Sequence, residues 1–379
     1  MHFGEEADGN TLVVMSRKFT TEDSNDRPIL LTGLKQTSLL FAFGAEDTLA
    51  YHSNNRVKKK VDLSTGTSGE KEAFVARLES TAGMSYIDLR FNAATTPSQA
   101  NGINTDINID PSYRVPASGG REILSNSRTE YWEYCFATSS HPGWSAHAGK
   151  ALVGFNGILD DGASRPDLVH HSVLYAYSGD NCKNDESIIW VGGVNFYEEL
   201  PANVGMSFDR FKSFRIQVHY DNPKLETGLM DNSGIRIWLD ATAREHEAGT
   251  IQLGDPRVQL SASGKTIPPG KSMWEFACPS SVTSNWHKIT VFSQILHMHQ
   301  TGDMMYLEVK DSNGVVKRPN AVEYFDFAWQ DPTLVEPFEI KPGDELITRC
   351  YFNNQGNTPV PFGPGSDQEM CIDFIFVSL

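Results

Sequence analysis

Short apolar segments separated by turn residues fill the chain from about residue 130 to its end. The segments are rich in β-branched and aromatic residues, and Pro, Gly, Asp and Asn separate them, a pattern typical of strands in β-sandwiches. The stretch from Glu70 to Glu79 is the best candidate for a helix. The sequence therefore predicts an all-β fold class with two consecutive β-sandwich domains of jelly-roll type, at 126–247 and 248–379.

Four of these strand-like segments carry side chains that suit a metal ion. Imidazole and thioether groups, with no cysteine thiolate among them, suit copper that cycles between Cu(I) and Cu(II). Alternate residues of a strand share a face, so His297 and His299 are predicted to point the same way and Met298 the opposite way. The segments are DLVHHSVLYAY with His170 and His171, FRIQVHYDNP with His219, FSQILHMHQTGDMMYLEV with His297 and His299, and DQEMCIDFIFV with Met370.

Each histidine also has a simpler interpretation. A single histidine in an apolar strand is usually a packed core residue. Adjacent His170 and His171 point to opposite faces of a regular strand, so both can reach one ion only at a β-bulge or a strand end. The four segments taken together nevertheless favour a metal centre over several unrelated core residues.

Charge and hydropathy argue against two classes of partner. The formal net charge is -16 at pH 7, whereas nucleic-acid binding needs clustered Lys and Arg. The basic run from Lys58 to Lys60 is short and is predicted to be a solvated strand end. No apolar run approaches the roughly 18–20 residues of a transmembrane helix. We therefore expect neither a nucleic acid partner nor a membrane span.

The motifs resemble those of the copper type II ascorbate-dependent monooxygenases, the family of dopamine β-monooxygenase and, more distantly, of peptidylglycine α-hydroxylating monooxygenase. Besides the four ligand segments, the similar text includes YWEYC, NSGIRIWL, IPPG and PGDELITRCYFNN, and the resemblance runs from about Glu130 to Leu379. It implies two copper ions per chain. The ligands that it implies are His170, His171 and His219 for an electron-transfer copper, and His297, His299 and Met370 for an oxygen-binding copper.

The resemblance also implies the chemistry. The family hydroxylates an activated C–H bond with dioxygen at the methionine-ligated copper, and ascorbate supplies electrons through the three-histidine copper. In the peptidylglycine branch an Arg, an Asn and a Tyr lie where this chain has Ile295, Ile372 and Phe374. A peptide carboxylate would lack the bidentate Arg here. The expected substrate is therefore a phenethylamine-like or other small molecule, with its binding residues unknown, and a non-catalytic secreted copper-binding protein is the alternative.

No catalytic side chain is expected beyond the metal ligands themselves. A carboxylate or carbonyl usually accepts a hydrogen bond from the second nitrogen of a ligand imidazole. Asp167, Asp221 and Asp303 lie near the ligand segments and are candidates for that role, with turn residues as the simpler interpretation.

Five cysteines bear on the redox compartment. The resemblance implies a disulfide between Cys350 and Cys371, directly after the methionine ligand, and a second between Cys135 and Cys182. Cys278 has no counterpart to pair with, which leaves an odd thiol. The set predicts a protein that is secreted or held in the lumen of the secretory pathway. Five reduced cysteines in a cytosolic protein are the alternative.

Residues 1–95 resemble part of a DOMON domain, a β-sandwich that precedes the copper domains in dopamine β-monooxygenase-like proteins. The segment from Thr11 to Leu63 is predicted to form three or four strands, about half of such a sandwich, and His52 lies where some DOMON domains ligate haem. Half a sandwich leaves an apolar face uncovered, so we expect the natural chain to extend upstream, with its signal peptide there. Residues 96–125 are predicted to be a linker, and the copper domains to be monomeric.

Overall fold

The computed structural model describes the chain in segments. The backbone is described at 3–7, 10–14, 37–42, 56–61, 70–90, 121–122, 129–137, 147–158 and 168–379, with gaps at 181, 184, 193–195, 223, 232, 257–258, 323–324, 326, 328–332 and 366. Two compact units are present, Met1–Glu70 and Lys71–Leu379. His52, Asp167 and most of the predicted linker at 96–125 lie outside the described residues.

The first unit contains two described pairs of strands. β1 (Phe3–Ala7) pairs antiparallel with β2 (Asn10–Val14). β3 (Thr37–Ala42) pairs antiparallel with β4 (Arg56–Val61), which carries the short basic run. The DOMON-like arrangement of this region stays a prediction.

The second unit is built mainly of strands, which confirms the all-β prediction. The helix predicted from Glu70 is present as α1 (Glu70–Ser80), and two short helices, α2 (Gln259–Ala262) and α3 (Ser280–Thr283), follow. None of the described helices is both long enough and apolar enough to cross a membrane. The strands are β5 (Met84–Arg90), β6 (Arg121–Glu122), β7 (Thr129–Ala137), β8 (Ala151–Ile158), β9 (Val169–Tyr177), β10 (Ser187–Gly192), β11 (Tyr197–Glu199), β12 (Val204–Ser207), β13 (Ser213–Asp221), β14 (Met230–Asp231), β15 (Gly234–Asp240), β16 (His246–Gly254), β17 (Thr266–Ile267), β18 (Gly270–Cys278), β19 (Ile289–His297), β20 (Gly302–Lys310), β21 (Val316–Val322), β22 (Thr333–Ile340), β23 (Glu345–Asn354), β24 (Val360–Pro361) and β25 (Ile372–Ser378).

Three larger sheets position the candidate site. A four-stranded sheet has the order β10-β9-β13-β7, and a second has the order β18-β23-β20-β21. A long sheet runs in the order β22-β19-β25-β16-β12-β8-β15-β5. β9 and β13 therefore lie side by side in one sheet, whereas β19 and β25 lie side by side in the long one.

The long sheet crosses the boundary that the sequence predicted between the two sandwiches at 247 and 248. β16 spans that boundary and pairs in parallel with β12 on one side and antiparallel with β25 on the other. One buried apolar cluster contains Leu174 and Ile216 from β9 and β13 together with Ile295 and Phe374 from β19 and β25. Side chains from both predicted sandwiches thus share a core, and the division into 126–247 and 248–379 stays a prediction.

The boundary predicted at residue 95 stays a prediction, and the described residues 71–90 on its N-terminal side pack within the second unit. α1 buries Phe74 and Leu78 in a cluster with Trp238 of β15. β5 pairs antiparallel with β15 and buries Ile87 and Leu89, so it is a strand of the long sheet. The described residues between 71 and 90 therefore belong with the second unit, because their apolar side chains are buried there.

Candidate metal centre

The first group of predicted ligands, His170, His171 and His219, lies on the adjacent strands β9 and β13. His171 on β9 and His219 on β13 are direct partners in the antiparallel register, and their ring centroids are 4.8 Å apart. The register then shifts, so that Tyr220 pairs with Val169 and His170 is the additional residue of the bulge. The irregularity that an adjacent histidine pair needs is therefore present in the backbone. The side chain of His170 lies outside the described residues.

The second group of predicted ligands, His297, His299 and Met370, lies at the end of β19 and just before β25. His297 is the last residue of β19, and the ring centroids of His297 and His299 are 5.1 Å apart. Met298, between them, is fully buried in an apolar cluster on the opposite side, with Cys350 and Phe352. The alternation predicted from the sequence is confirmed at this segment.

The imidazole of His299 is held in one tautomer. The backbone oxygen of Gln368 can only accept a hydrogen bond, so Nδ1 of His299, at 3.0 Å, carries the proton. Its other nitrogen, Nε2, is buried and has no hydrogen-bond partner among the described residues. Burial lowers the pKa of His299 to about 4, so the ring is neutral at pH 7. A neutral imidazole with a buried, unpartnered lone pair is the arrangement of a metal ligand.

Met370 lies in the loop before β25, and contacts of the residues on either side of it fix its position. It packs against the large apolar cluster, directly before Cys371, which forms a disulfide with Cys350 on β23. The preceding residue, Glu369, is fully buried. Its carboxylate accepts hydrogen bonds from the backbone N–H of His299 and from the backbone N–H and hydroxyl of Thr301. Burial raises the pKa of Glu369 to about 7, and these hydrogen bonds act in the opposite direction.

The two groups of ligands adjoin each other. The ring centroids of His171, from the first group, and His297, from the second, are 6.0 Å apart at an interplanar angle of 76°. The ligand sets that the resemblance implies lie in separate predicted domains, 126–247 and 248–379. An imidazole of each group lies in edge-to-face arrangement, because β9 and β19 pack on the same apolar core. The assignment of the two coppers to separate domains stays a prediction.

The surroundings of the second group are apolar. Ile295, Ile372 and Phe374, which occupy the positions of polar residues in the peptidylglycine branch, are all buried in the large cluster. The ring of Phe374 lies 6.2 Å from that of His297, and the ring of Phe327 lies 5.4 Å from that of His299. His299 is fully buried beside Phe327, His297 is partly buried beside Phe374, and these rings offer no ion-pair partner.

Only one of the three carboxylates predicted behind the histidines, Asp303, has a described side chain. Asp303 lies 3.9 Å from Lys271, and the side chain of Asp221 lies outside the described residues. The groups that do hold His299 are the backbone of Gln368 and the carboxylate of Glu369, which the sequence reasoning missed. Their signal was their position directly before Met370. Among the described residues, no three His, Cys, Asp or Glu side chains alone form a metal cluster.

Both disulfides implied by the resemblance are present. Cys135 on β7 is bonded to Cys182, and Cys350 is bonded to Cys371. Cys278 is the free cysteine, and burial raises the pKa of its thiol.

Comparison with known proteins identifies the family of the centre. Residues 246–377 match the model of the copper type II ascorbate-dependent monooxygenase C-terminal domain. This match contains His297, His299 and Met370 and the segments that hold them. Residues 246–377 thus match a copper type II ascorbate-dependent monooxygenase C-terminal domain, which supports this family for the chain.

Several curated relatives are monooxygenases or hydroxylases by name. The chain is 29% identical to tyramine beta-hydroxylase of Caenorhabditis briggsae over 167 residues, which is 42% of this chain and 28% of that protein. It is 26% identical to human DBH-like monooxygenase protein 1 over 99% of this chain and 59% of that protein. It is 25% identical to bovine dopamine beta-hydroxylase over 67% of this chain and 44% of that protein. The chain thus spans less than two thirds of the length of each of these relatives.

Proposed function

We propose that this chain is a copper- and ascorbate-dependent monooxygenase that hydroxylates an activated C–H bond of a small molecule. The observation that carries the proposal is the buried Nε2 of His299, which lacks a hydrogen-bond partner among the described residues and belongs to a neutral ring beside His297. A core residue with no ligand would leave that nitrogen desolvated without compensation. The family match and the nearby Met370 supply the identity of the metal.

The second ligand group, His297, His299 and Met370, would hold one copper. Two imidazoles and one thioether form a soft set that stabilises Cu(I) and leaves coordination positions open. When bound, this copper would supply one-electron chemistry with dioxygen. The chain's own part is to fix the tautomer of His299 through Gln368 and to place the apolar rings of Phe374 and Phe327 beside the two imidazoles.

The first group, His170, His171 and His219, would hold a second copper that receives electrons from ascorbate. His171 and His219 are aligned by the strand register, and the bulge at His170 allows two adjacent histidines to serve one ion. The contact between the rings of His171 and His297 offers a short route for an electron from the first group to the second. No acid–base side chain is needed for either role.

A small amine is the substrate that we favour. The names of two relatives state hydroxylation of tyramine and dopamine, which are phenethylamines. Ile295, Ile372 and Phe374 supply apolar surroundings and no cation that could bind a peptide carboxylate. The formal net charge of -16 also attracts a cationic amine rather than an anion.

The two disulfides support a location in an oxidising compartment, outside the cell or in the secretory lumen. We further propose that the copper-binding region acts as a monomer. Its ligand groups both come from the one compact unit Lys71–Leu379.

The test is copper loading followed by turnover. We expect two coppers per chain, and oxygen consumption with ascorbate that is matched by formation of a hydroxylated phenethylamine. His297→Ala should abolish turnover and remove one copper, whereas His287→Ala, at an exposed histidine of the same region, should change neither. Two coppers with no oxygen consumption over a broad amine panel would instead favour the non-catalytic copper-binding alternative. A preference for zinc would refute the copper assignment.

A further inference from the structure

Glu369 is a fully buried carboxylate that the proposed chemistry does not use. Among the described residues it has no ion-pair partner, and its hydrogen bonds come from a turn on another segment. Oε2 accepts from the backbone N–H of His299 at 3.0 Å. Oε1 accepts from the backbone N–H of Thr301 at 2.6 Å and from the Thr301 hydroxyl at 2.8 Å. Both oxygens are thus occupied by the turn that carries His299.

The backbone of Glu369 is fixed at the same time. Its N–H donates to the oxygen of Pro361, and its oxygen accepts from the N–H of Gly363, each at 2.9 Å. The residue before it, Gln368, accepts the hydrogen bond from Nδ1 of His299. The residue after it is Met370. One residue therefore joins the loop that carries Met370 to the turn that carries His299.

Burying a carboxylate without a cation costs free energy, and an apolar side chain of similar size would often be neutral or stabilising. The cost is offset here by three hydrogen bonds to the two carboxylate oxygens, which also fix distance and direction. These bonds act on His299 and Met370, which lie two residues beyond the last register pair of β19 and β25, His297 with Ile372, and they fix the spacing there. Folding stability alone gives a weaker reason for a carboxylate at this position, because an apolar side chain of similar size would serve as well.

We propose that Glu369 is a positioning residue that holds the His299 turn and the Met370 loop at the separation needed for one copper to bind both. The role rests on the proposed function, because it requires His299 and Met370 to share a copper. Glu369 does not touch the metal. It acts through the backbone of His299 and through its own neighbour in the chain.

Glu369→Gln is the decisive variant. A glutamine keeps the shape but has one oxygen, so its NH₂ group would face either the His299 or the Thr301 N–H and leave that donor unsatisfied. Thr301→Val is milder, since it removes only the hydroxyl. Asp373→Asn is the matched control, because Asp373 is an equally buried carboxylate near Met370 whose hydrogen-bond partner is the side chain of Gln294.

The measurements are made on the full chain loaded with copper. X-ray absorption of the Cu(I) protein reports the Cu–S contribution of Met370, a competing chelator reports Cu(I) affinity, and thermal unfolding reports folding. We expect Glu369→Gln to lose the Cu–S contribution and about 10-fold or more in Cu(I) affinity at one of two sites, as substitutions behind metal ligands do. Thr301→Val should lose roughly 3-fold, because it removes one hydrogen bond of modest net contribution. Asp373→Asn should keep both the Cu–S contribution and the affinity.

A folded Glu369→Gln protein with unchanged Cu–S contribution and affinity would overturn the role, and so would an equal loss in Asp373→Asn. If Glu369→Gln does not fold, Thr301→Val decides, and an affinity equal to that of the unmodified chain then refutes the proposal. If the unmodified chain itself binds copper without any Cu–S contribution, the proposed function fails at Met370 and the positioning role falls with it. That failure is visible before any variant is compared.

Discussion

The two proposed ligand groups are built in different ways. His171 and His219 stand opposite each other on paired strands, so the backbone register alone sets their separation. His299 and Met370 lie outside strands, in a turn after β19 and a loop before β25, where hydrogen bonds to Gln368 and Glu369 hold the turn in place. A strand-borne pair gains its rigidity from the whole sheet. A turn-borne pair depends on a few particular side chains, and we expect it to be the more sensitive of the two.

The disulfides follow the same contrast. Cys135 lies on β7, and its register partner on β13 is Arg215, four residues before His219, so this bond braces a sheet that is already paired. Cys371 directly follows Met370 and is bonded to β23, so the second bond fixes a ligand-bearing loop. Each group has one disulfide, but only the second lies next to a proposed ligand.

The largest effect is expected from removing a ligand of either group. Met370→Ala and His219→Ala should each lower turnover by more than about 100-fold, since even residues behind metal ligands contribute 10–100-fold. The two variants should differ in what remains. Met370→Ala should keep a copper that ascorbate reduces, whereas His219→Ala should keep Cu–S scattering and lose rapid reduction.

Stopped-flow reduction by ascorbate, with copper counted per chain, checks this difference. Met273→Ala, at an exposed methionine on β18, is the control and should behave like the unmodified chain. Loss of rapid reduction in Met370→Ala would show that the two groups do not have separate roles.

Removing each disulfide in turn should show which bond affects folding stability alone and which also affects copper binding. The Cys135–Cys182 bond spans 47 residues and the Cys350–Cys371 bond spans 21. Loop-closure entropy then gives losses of about 4 and about 3 kcal/mol on replacement of each pair by alanine. Only the second pair should also weaken Cu(I) binding, because its loss frees the Met370 loop.

Urea unfolding of the copper-free protein measures the first quantity, and chelator competition measures the second. Equal loss of Cu(I) affinity in the two double variants would break the contrast between strand-borne and turn-borne ligands.

Asp373, on β25 close to Met370, gives a pH-dependent test beside the second ligand group. Burial raises the pKa of Asp373 to about 7, and its hydrogen bond from Gln294 only partly opposes this. The folded chain then binds more protons than the unfolded chain between about pH 4 and pH 7, so this group's contribution makes stability fall as pH rises through that window. Asp373→Asn should remove the contribution and stabilise the chain at pH 8 by about 2 kcal/mol, about half of what a three-unit pKa shift permits.

The comparison is made on copper-free protein by urea unfolding at several pH values. Glu369 and His299 titrate in the same range, so the difference between the unmodified chain and Asp373→Asn is the relevant quantity. A difference that does not change between pH 4 and pH 8 would show that Asp373 is ionised at its ordinary pKa.

The sequence predicted what depends on local pattern. Alternation in SQILHMHQ correctly placed Met298 opposite His297 and His299, and the helix at Glu70 followed from its composition. The need for a bulge at the His170–His171 pair followed from strand geometry and is met in the register. These are properties of a few consecutive residues, which a sequence displays directly.

What it did not predict depends on partners distant in the chain. β5 joins β15 from about 150 residues away, and neither segment indicates the other. Glu369 accepts a hydrogen bond from Thr301, which is distant in the chain, and neither segment indicates the other. The contact of His171 with His297 arises from the packing of two sheets on one core. Local pattern contains no information on such packing.

The smallest effect is expected beside the first group, and it tests the contrast most finely. The hydroxyl of Tyr220, next to His219, donates to the buried carboxylate of Asp231 at 2.7 Å, much as the hydroxyl of Thr301 donates to Glu369 beside the second group. Tyr220→Phe should lower the free energy of unfolding by about 1.5 kcal/mol, the contribution of a hydrogen bond to a charged group. Asp231 keeps its bonds from the N–H and hydroxyl of Ser233, and His219 stays in register with His171, so copper affinity at the first group should change less than about 2-fold, within the scatter of such contributions. Thr301→Val, with the same hydroxyl removed beside the second group, should show the larger change in copper affinity. If Tyr220→Phe weakens copper binding as much as Thr301→Val does, the strand register does not protect the first group, and both groups depend on single side-chain hydrogen bonds.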